Sequence, residues 1–124
     1  VVWEVELVAE VEDWFLNLAS TDPESADLVE EAIEVLANSG PTLSRPLVDR
    51  IKGSTIHNLK ELRPASAGRS EVRILFVFDP ARCAILLVAG DKQGQWKQWY
   101  DDAIPLAERR YRKHLTALEV DTDG

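Results

Sequence analysis

Arg73 lies in the stretch Glu71-Val72-Arg73-Ile74-Leu75-Phe76-Val77-Phe78, which is apolar but for its first residue and Arg73 itself. A guanidinium in such a run is expensive to bury unless it meets a counter-charge or faces a cleft. Upstream, Glu61 and Arg63 alternate in Leu59-Lys60-Glu61-Leu62-Arg63, so on a strand 59, 61 and 63 share one face. If the two segments pair odd residues with odd residues, Arg73 joins that face, and a pairing of 63 with 71 sets Glu61 directly opposite Arg73. Arginine is always charged and forks onto two oxygens of an oxyanion such as a phosphate. A carboxylate beside it stays ionised and can take up a proton. The chemistry such a group could perform is the gripping of an oxyanion with proton transfer next to it. The same residues also suit a plain ion pair inside the sheet, with Arg63 as an exposed strand end. His57 shares the parity of Glu61 and Arg63 and titrates near neutral pH, which makes it a second candidate base or a simple surface residue.

These residues need strands to hold them, and the periodicity supplies strands and helices in a definite order. Trp3-Glu4-Val5-Glu6-Leu7 alternates apolar and acidic residues, the pattern of a half-buried strand. From Val8 to Ala19 the period becomes helical, with Val8, Val11, Phe15 and Leu18 on one stripe. Asp22 and Pro23 make a start signal for a second helix, with Leu28, Val29, Ala32, Ile33 and Leu36 as its core stripe and Gly40-Pro41 as its end. Residues 41–55 read as a connector, 56–63 as a strand and 64–70 as a loop. Strands follow at 71–78 and 83–89, separated by the turn Asp79-Pro80-Ala81-Arg82, and Gly90–Gly94 is a loop. Gln95 to Leu118 is helical in pattern, kinked or divided by Pro105, and 119–124 is expected to be a loose tail. The expected class is α+β, in the order β-α-α-β-β-β-α. It has a small, mostly antiparallel four-stranded sheet, one face covered by the two N-terminal helices and the other left open for function.

Composition excludes several classes. The 124 residues suit one domain, and no apolar run approaches the roughly 18 to 20 residues of a membrane helix. No secretory signal is visible, so a cytoplasmic protein is expected. Cys83 is alone, which rules out an internal disulfide, and it sits in an apolar run as a buried thiol would. Two histidines and one cysteine far apart in the chain cannot supply a standard zinc set, and no phosphate-loop, dinucleotide or nucleophile-elbow motif is present, so no cofactor or metal is expected. The net charge of −8 seems to argue against nucleic acid, but it is unevenly spread. Residues 1–39 carry eleven acidic side chains and no lysine or arginine, whereas residues 45–113 carry fourteen basic against eight acidic ones. A basic patch in the second part can bind phosphate at short range while salt screens the distant acidic helices.

The element order and three sequence words together resemble the RelE/ParE superfamily of toxins, on its HigB-like, phage-derived branch. The words are GSTIHNLKELRP at 53–64, EVRILFVFDP at 71–80 and LLVAGDKQGQWKQWYDDAIPLAERRYRKHL ending at Leu115. The likeness runs from residue 3 to about 118, so that 1–118 would form a single toxin domain. It implies the toxin of a type II toxin–antitoxin pair, an endoribonuclease that cuts mRNA on the ribosome without metal and is neutralised by a cognate antitoxin, often a helix-turn-helix protein. Related alternatives are a non-enzymatic inhibitor of DNA gyrase and an inactive member acting as an interaction domain. RNA can be cut by its own 2′-hydroxyl, given a base near that oxygen, cations on the scissile phosphate and an acid for the departing oxygen. On this resemblance Arg73 and Arg63 grip the phosphate and Glu61 is the base. Lys92, in the loop after the central strand, adds a phosphate contact, and Tyr100 stacks on a base or helps proton transfer. His57, Lys60 and Lys97 are expected RNA contacts. Trp96 and Trp99 are expected to pack between helix and sheet.

Overall fold

A computed structural model describes residues 2–123, with side chains as far as residue 120. Strand β1 (Val5–Leu7) leads into helix α1 (Ala9–Thr21) and helix α2 (Pro23–Ser39). A single 3-10 turn at Gly40–Thr42 follows, then strands β2 (Val48–Arg50), β3 (Lys60–Leu62), β4 (Val72–Phe78) and β5 (Ala84–Asp91), and helix α3 (Trp96–Asp123). The α+β expectation is borne out, with one strand more than expected.

The helix ends follow their residues. Glu10 and Glu12 in the first turn of α1 complement the positive end of its dipole. Asp22 ends α1 and starts α2, its carboxylate accepting from the Ser25 N–H at 3.3 Å, with Pro23 in the first position. Gly40 closes α2 at φ 64°, where a β-carbon would also run into the Trp3 indole. Ala26, Val29, Ala32 and Leu36 form the buried stripe of α2.

The sheet order is β1-β5-β4-β3-β2, with β1 parallel to β5 and the other neighbours antiparallel. One face, with Leu62, Ile74, Phe76 and Leu86, packs on Val11, Val29 and Leu36 of α1 and α2. The opposite face carries Leu59, Leu75, Val77, Ile85 and Leu87 and packs on Ala103 and Ala107 of α3. That second face was expected to lie open. It is instead roofed by α3, and only its end, where β3 and β4 meet the first turns of α3, holds polar groups. A bulge between Leu75 and Phe76 in the β4–β5 ladder lets both Leu87 and Val88 point under α3.

Five local expectations are corrected. The connector at 41–55 contains a strand, β2, held by the register Val48↔Leu62 and Asp49↔Glu61. The strand expected at 56–63 shrinks to Lys60–Leu62, so His57 stands in the preceding turn and has no strand parity with Glu61. The β3–β4 pairing is odd with odd but shifted by two, with Glu61 opposite Leu75. Pro105 does not divide α3; it is exposed, and the carbonyl of Asp101 that it leaves unbonded is on the solvated side. Residues 119–123, expected as a loose tail, continue α3 as far as Asp123, and Gly124 lies outside the described residues.

Candidate functional site

Glu61 is the centre of the polar group at that end of the sheet. Its side chain is 2 % exposed, and it is among the few buried charges of the chain. Burying a carboxylate is costly unless its oxygens are occupied, and here both are. The Tyr100 hydroxyl donates to Oε1, and Arg63 Nε donates to Oε2 at 3.1 Å. Arg73 Nε lies 3.8 Å from Oε1, too far for a hydrogen bond, so it contributes charge alone.

Arg73 reaches Glu61 diagonally, because the partner of Glu61 on β4 is Leu75, two residues further on. Its Nη1 donates to the Val72 carbonyl at 2.8 Å, which fixes the guanidinium plane. The remaining terminal nitrogen makes no hydrogen bond to the protein among the described residues and can meet a ligand oxygen. Arg63 is 35 % exposed and faces solvent, while its Nη2 donates to Asp49 Oδ2 at 3.1 Å. Burial opposes the Arg63 charge, but Glu61 and Asp49 outweigh it and hold its pKa above the ordinary value.

Tyr100 is placed by α3 and by a glycine. Gln95 N–H bonds the Lys92 carbonyl, and Trp99 N–H bonds the Gln95 carbonyl, starting the helix just past the loop. Trp99 points the Nε1 edge of its indole at Gly90, where a β-carbon would come within 2.5 Å of that nitrogen, and its ring meets that of Tyr100 edge-on at 5.0 Å. Burial, then the bond to Glu61, pushes the phenol pKa well up, so the hydroxyl stays a proton donor. Lys92 stands 5.6 Å above the Tyr100 ring and 3.7 Å from Glu71. Asp91 shapes the loop by accepting from the Gln93 and Glu71 N–H groups, each at 2.9 Å.

Five of the expected site residues, Glu61, Arg63, Arg73, Lys92 and Tyr100, therefore stand in one group. The other three stand elsewhere. Lys60 projects from the opposite face of β3 and lies 5.5 Å over the Phe78 ring. His57 is exposed in the turn before β3, beside Tyr111 and Arg112 far along α3. Lys97 is 79 % exposed and pairs with Asp101 one turn on. Asp49 was not anticipated. It faces Glu61 across the β2–β3 ladder, and hydrogen bonds from Arg45 and the Arg50 N–H, with Arg63 nearby, hold its pKa down. The run Val48-Asp49-Arg50-Ile51 has no strand alternation, so no sequence signal marked it. Of the two tryptophans expected in the core, Trp99 packs there and Trp96 is 63 % exposed.

The remaining candidates are structural. Cys83 is buried, and that burial, with nearby acidic groups, pushes its thiol up to about 11. His114 Nε2 lies 2.7 Å from Asp79 Oδ2 and ties α3 to the β4–β5 turn. Among the described residues no three His, Cys, Asp or Glu side chains converge as a metal site would require. No helix among them is long and apolar enough to cross a membrane.

A five-stranded mixed sheet between two helical layers is consistent with an α+β toxin fold. Residues 16–112 match the family of phage-derived Gp49-like proteins, and the chain belongs to that family. It is similar to two Mycobacterium tuberculosis proteins that carry the toxin names HigB2 and HigB3. Identity to HigB2 is 54 % over 111 residues, covering 90 % of this chain and 55 % of the relative. Identity to HigB3 is 50 % over 113 residues, covering 91 % of this chain and 94 % of the relative. The chain thus spans about half of HigB2 and nearly all of HigB3. No solved structure matches it. The HigB-like resemblance read from the sequence is borne out.

Proposed function

We propose that this protein is the toxin of a toxin–antitoxin pair and that it cuts translated mRNA in the cytoplasm, using the RNA's own 2′-hydroxyl. The observation that carries this reading is the Tyr100 hydroxyl donating to a buried Glu61 while Arg63 and Arg73 flank the same carboxylate. Glu61 is too deep to touch a substrate, so Tyr100 is the group at the surface. The 2′-hydroxyl gives its proton to the Tyr100 oxygen as Tyr100 passes its own to Glu61. The 2′-oxygen then bonds to phosphorus, the bond from phosphorus to the 5′-oxygen breaks, that oxygen takes a proton from water, and the hydroxide left behind recovers through Tyr100 the proton held on Glu61. The products are a 2′,3′-cyclic phosphate and a free 5′-hydroxyl. Arg63, Arg73 and Lys92 offset the charge that grows on the phosphate, a contribution that is large where water is scarce.

The names of the relatives support a toxin, and a toxin of this kind needs a cognate antitoxin to keep its host alive. Ribosome dependence is part of what the HigB-like resemblance implies. Induction in a bacterium tests the proposal. New 5′ ends in translated messages are expected. A DNA-damage response in their place would identify gyrase as the target, and normal growth would identify an inactive interaction domain. Arg73→Ala should abolish toxicity while antitoxin binding survives, and full toxicity of that variant would overturn the phosphate-grip role.

A further inference from the structure

Arg50 and Lys60 occupy directly opposed positions in the β2–β3 ladder. Like charges in that relation destabilise a sheet, and a nearby carboxylate normally relieves them. Here neither side chain forms an ion pair among the described residues. Lys60 is half-buried, and burial together with the Arg50 charge lowers its pKa. Both line a hollow of 490 Å³ at the free edge of the sheet, on the face opposite Glu61. Arg45, Thr42, Ser44 and Asn58 border the same hollow and add a third cation and several hydrogen-bonding groups. Its one acidic neighbour, Asp49, is already taken up by Arg45 and Arg63, each at 3.1 Å.

We infer that this hollow is a second phosphate site, and that it holds the RNA backbone as the strand leaves the Glu61 group and passes round the β2 edge. The inference rests on the RNA-cutting reading above and extends it. Continuity favours RNA over an acidic peptide. Arg73 and Arg63 stand on one face, Arg45 reaches Arg63 through their shared Asp49, and Arg50 and Lys60 follow on the other face. These cations follow one another round the edge strand, with Asp49 between Arg45 and Arg63, in a chain whose first two helices are strongly acidic. A polyanion with regularly spaced charges suits such a series, and each phosphate held releases counterions. The pair of unneutralised cations in register is then a prepared site rather than an uncompensated cost.

The experiment uses the whole chain and two probes. Inorganic pyrophosphate is titrated while amide shifts are followed by NMR, and fluorescent single-stranded RNAs, one short and one long, are titrated across a range of salt. Saturable pyrophosphate shifts at Arg50, Asn58 and Lys60 are expected, and the double variant Arg50→Gln/Lys60→Gln should lose them while keeping those at Arg63 and Arg73. That retention also shows that the variant is folded. For the long RNA the slope of log affinity against log salt should fall by about 1.4, from roughly 0.7 per phosphate on a single strand. The short RNA should bind the variant as it binds the wild type. An absence of shifts at the hollow, or an unchanged slope for the long RNA, overturns the second site and leaves the cutting reaction standing. Failure of the wild type to bind the long RNA overturns the second site, whereas the cutting reading fails separately, if induction yields no new 5′ ends. Tighter binding of a poly-glutamate probe than of RNA at the hollow overturns the RNA assignment.

Discussion

Arg63 bridges two carboxylates that face each other across neighbouring strands, with Nε on Glu61 and Nη2 on Asp49, each at 3.1 Å. Without it the β2–β3 ladder would set two negative charges side by side. Arg63 is 35 % exposed, so solvent screens its attraction, but Glu61 is not exposed and depends on its partners. Arg63→Ala should destabilise the fold by about 1 to 2 kcal/mol in urea unfolding. Combining it with Glu61→Gln should recover part of that loss, giving a coupling energy of roughly 1 kcal/mol. Strict additivity of the two changes would mean that Arg63 serves Asp49 alone.

Tyr100→Phe keeps the ring on Trp99 and removes the hydroxyl. Cleavage of translated message should fall about 100-fold, the scale of one proton-transfer group, with a stability loss of about 1 kcal/mol. Primer extension against circular dichroism separates the two effects. Cleavage at the wild-type rate would remove Tyr100 from the reaction.

Gly90→Ala would place a β-carbon 2.5 Å from Trp99 Nε1. The φ of Gly90 is not in the left-handed region, so the cost is steric: the indole must lift and carry the first turn of α3 with it. A loss of about 1 to 3 kcal/mol is expected, with red-shifted tryptophan emission and weaker cleavage. Trp99→Leu in the same chain should return most of the stability, and no relief from the second change would locate the strain elsewhere.

The Cys83 thiol, pushed up to about 11 from an ordinary 9.0, gives a stability term with a definite sign. Above pH 9 the unfolded chain sheds this proton while the native chain keeps it, so stability is full below 9 and is lost as pH rises towards 11. The loss is about 2 to 3 kcal/mol, at 1.36 kcal/mol per pH unit. Other groups titrate in this range, so the measurement is the difference in unfolding free energy between the wild type and Cys83→Ala at pH 8.5 and pH 11. A difference that does not narrow with pH would contradict it. The same burial predicts slow alkylation of the native thiol at neutral pH.

Both N-terminal helices were legible, because Asp22-Pro23 and Gly40 are local signals and the apolar stripe of α2 has helical period. Strands β4 and β5 announced themselves as long apolar runs. Strand β2 did not: it has three residues between Pro46 and Gly53, and its pairing with β3 is a tertiary fact. Missing it hid Asp49, whose place in the site exists only through that ladder. The gathering of Glu61, Arg63 and Arg73 followed from alternation, since a shift of two residues preserves the face. Which groups they touch did not follow, because that shift turned a head-on pair into a diagonal one and brought Tyr100 into the nearer position. The roof over the second face was missed because only the tryptophans at the start of α3 were read as packing on the sheet, while the small Ala103 and Ala107 that seat the rest of it give little signal.

Strand β1 lies parallel to β5, and its residues 5–7 pair with 84–86. A chain emerging from the ribosome therefore holds its first segment without a neighbour until most of the rest has been made. The sheet closes late, and α3, which brings Tyr100, comes later still. On the proposed reaction, a product truncated before α3 would lack Tyr100 and with it the surface group that the cut requires, so the harm would wait on the making of that helix.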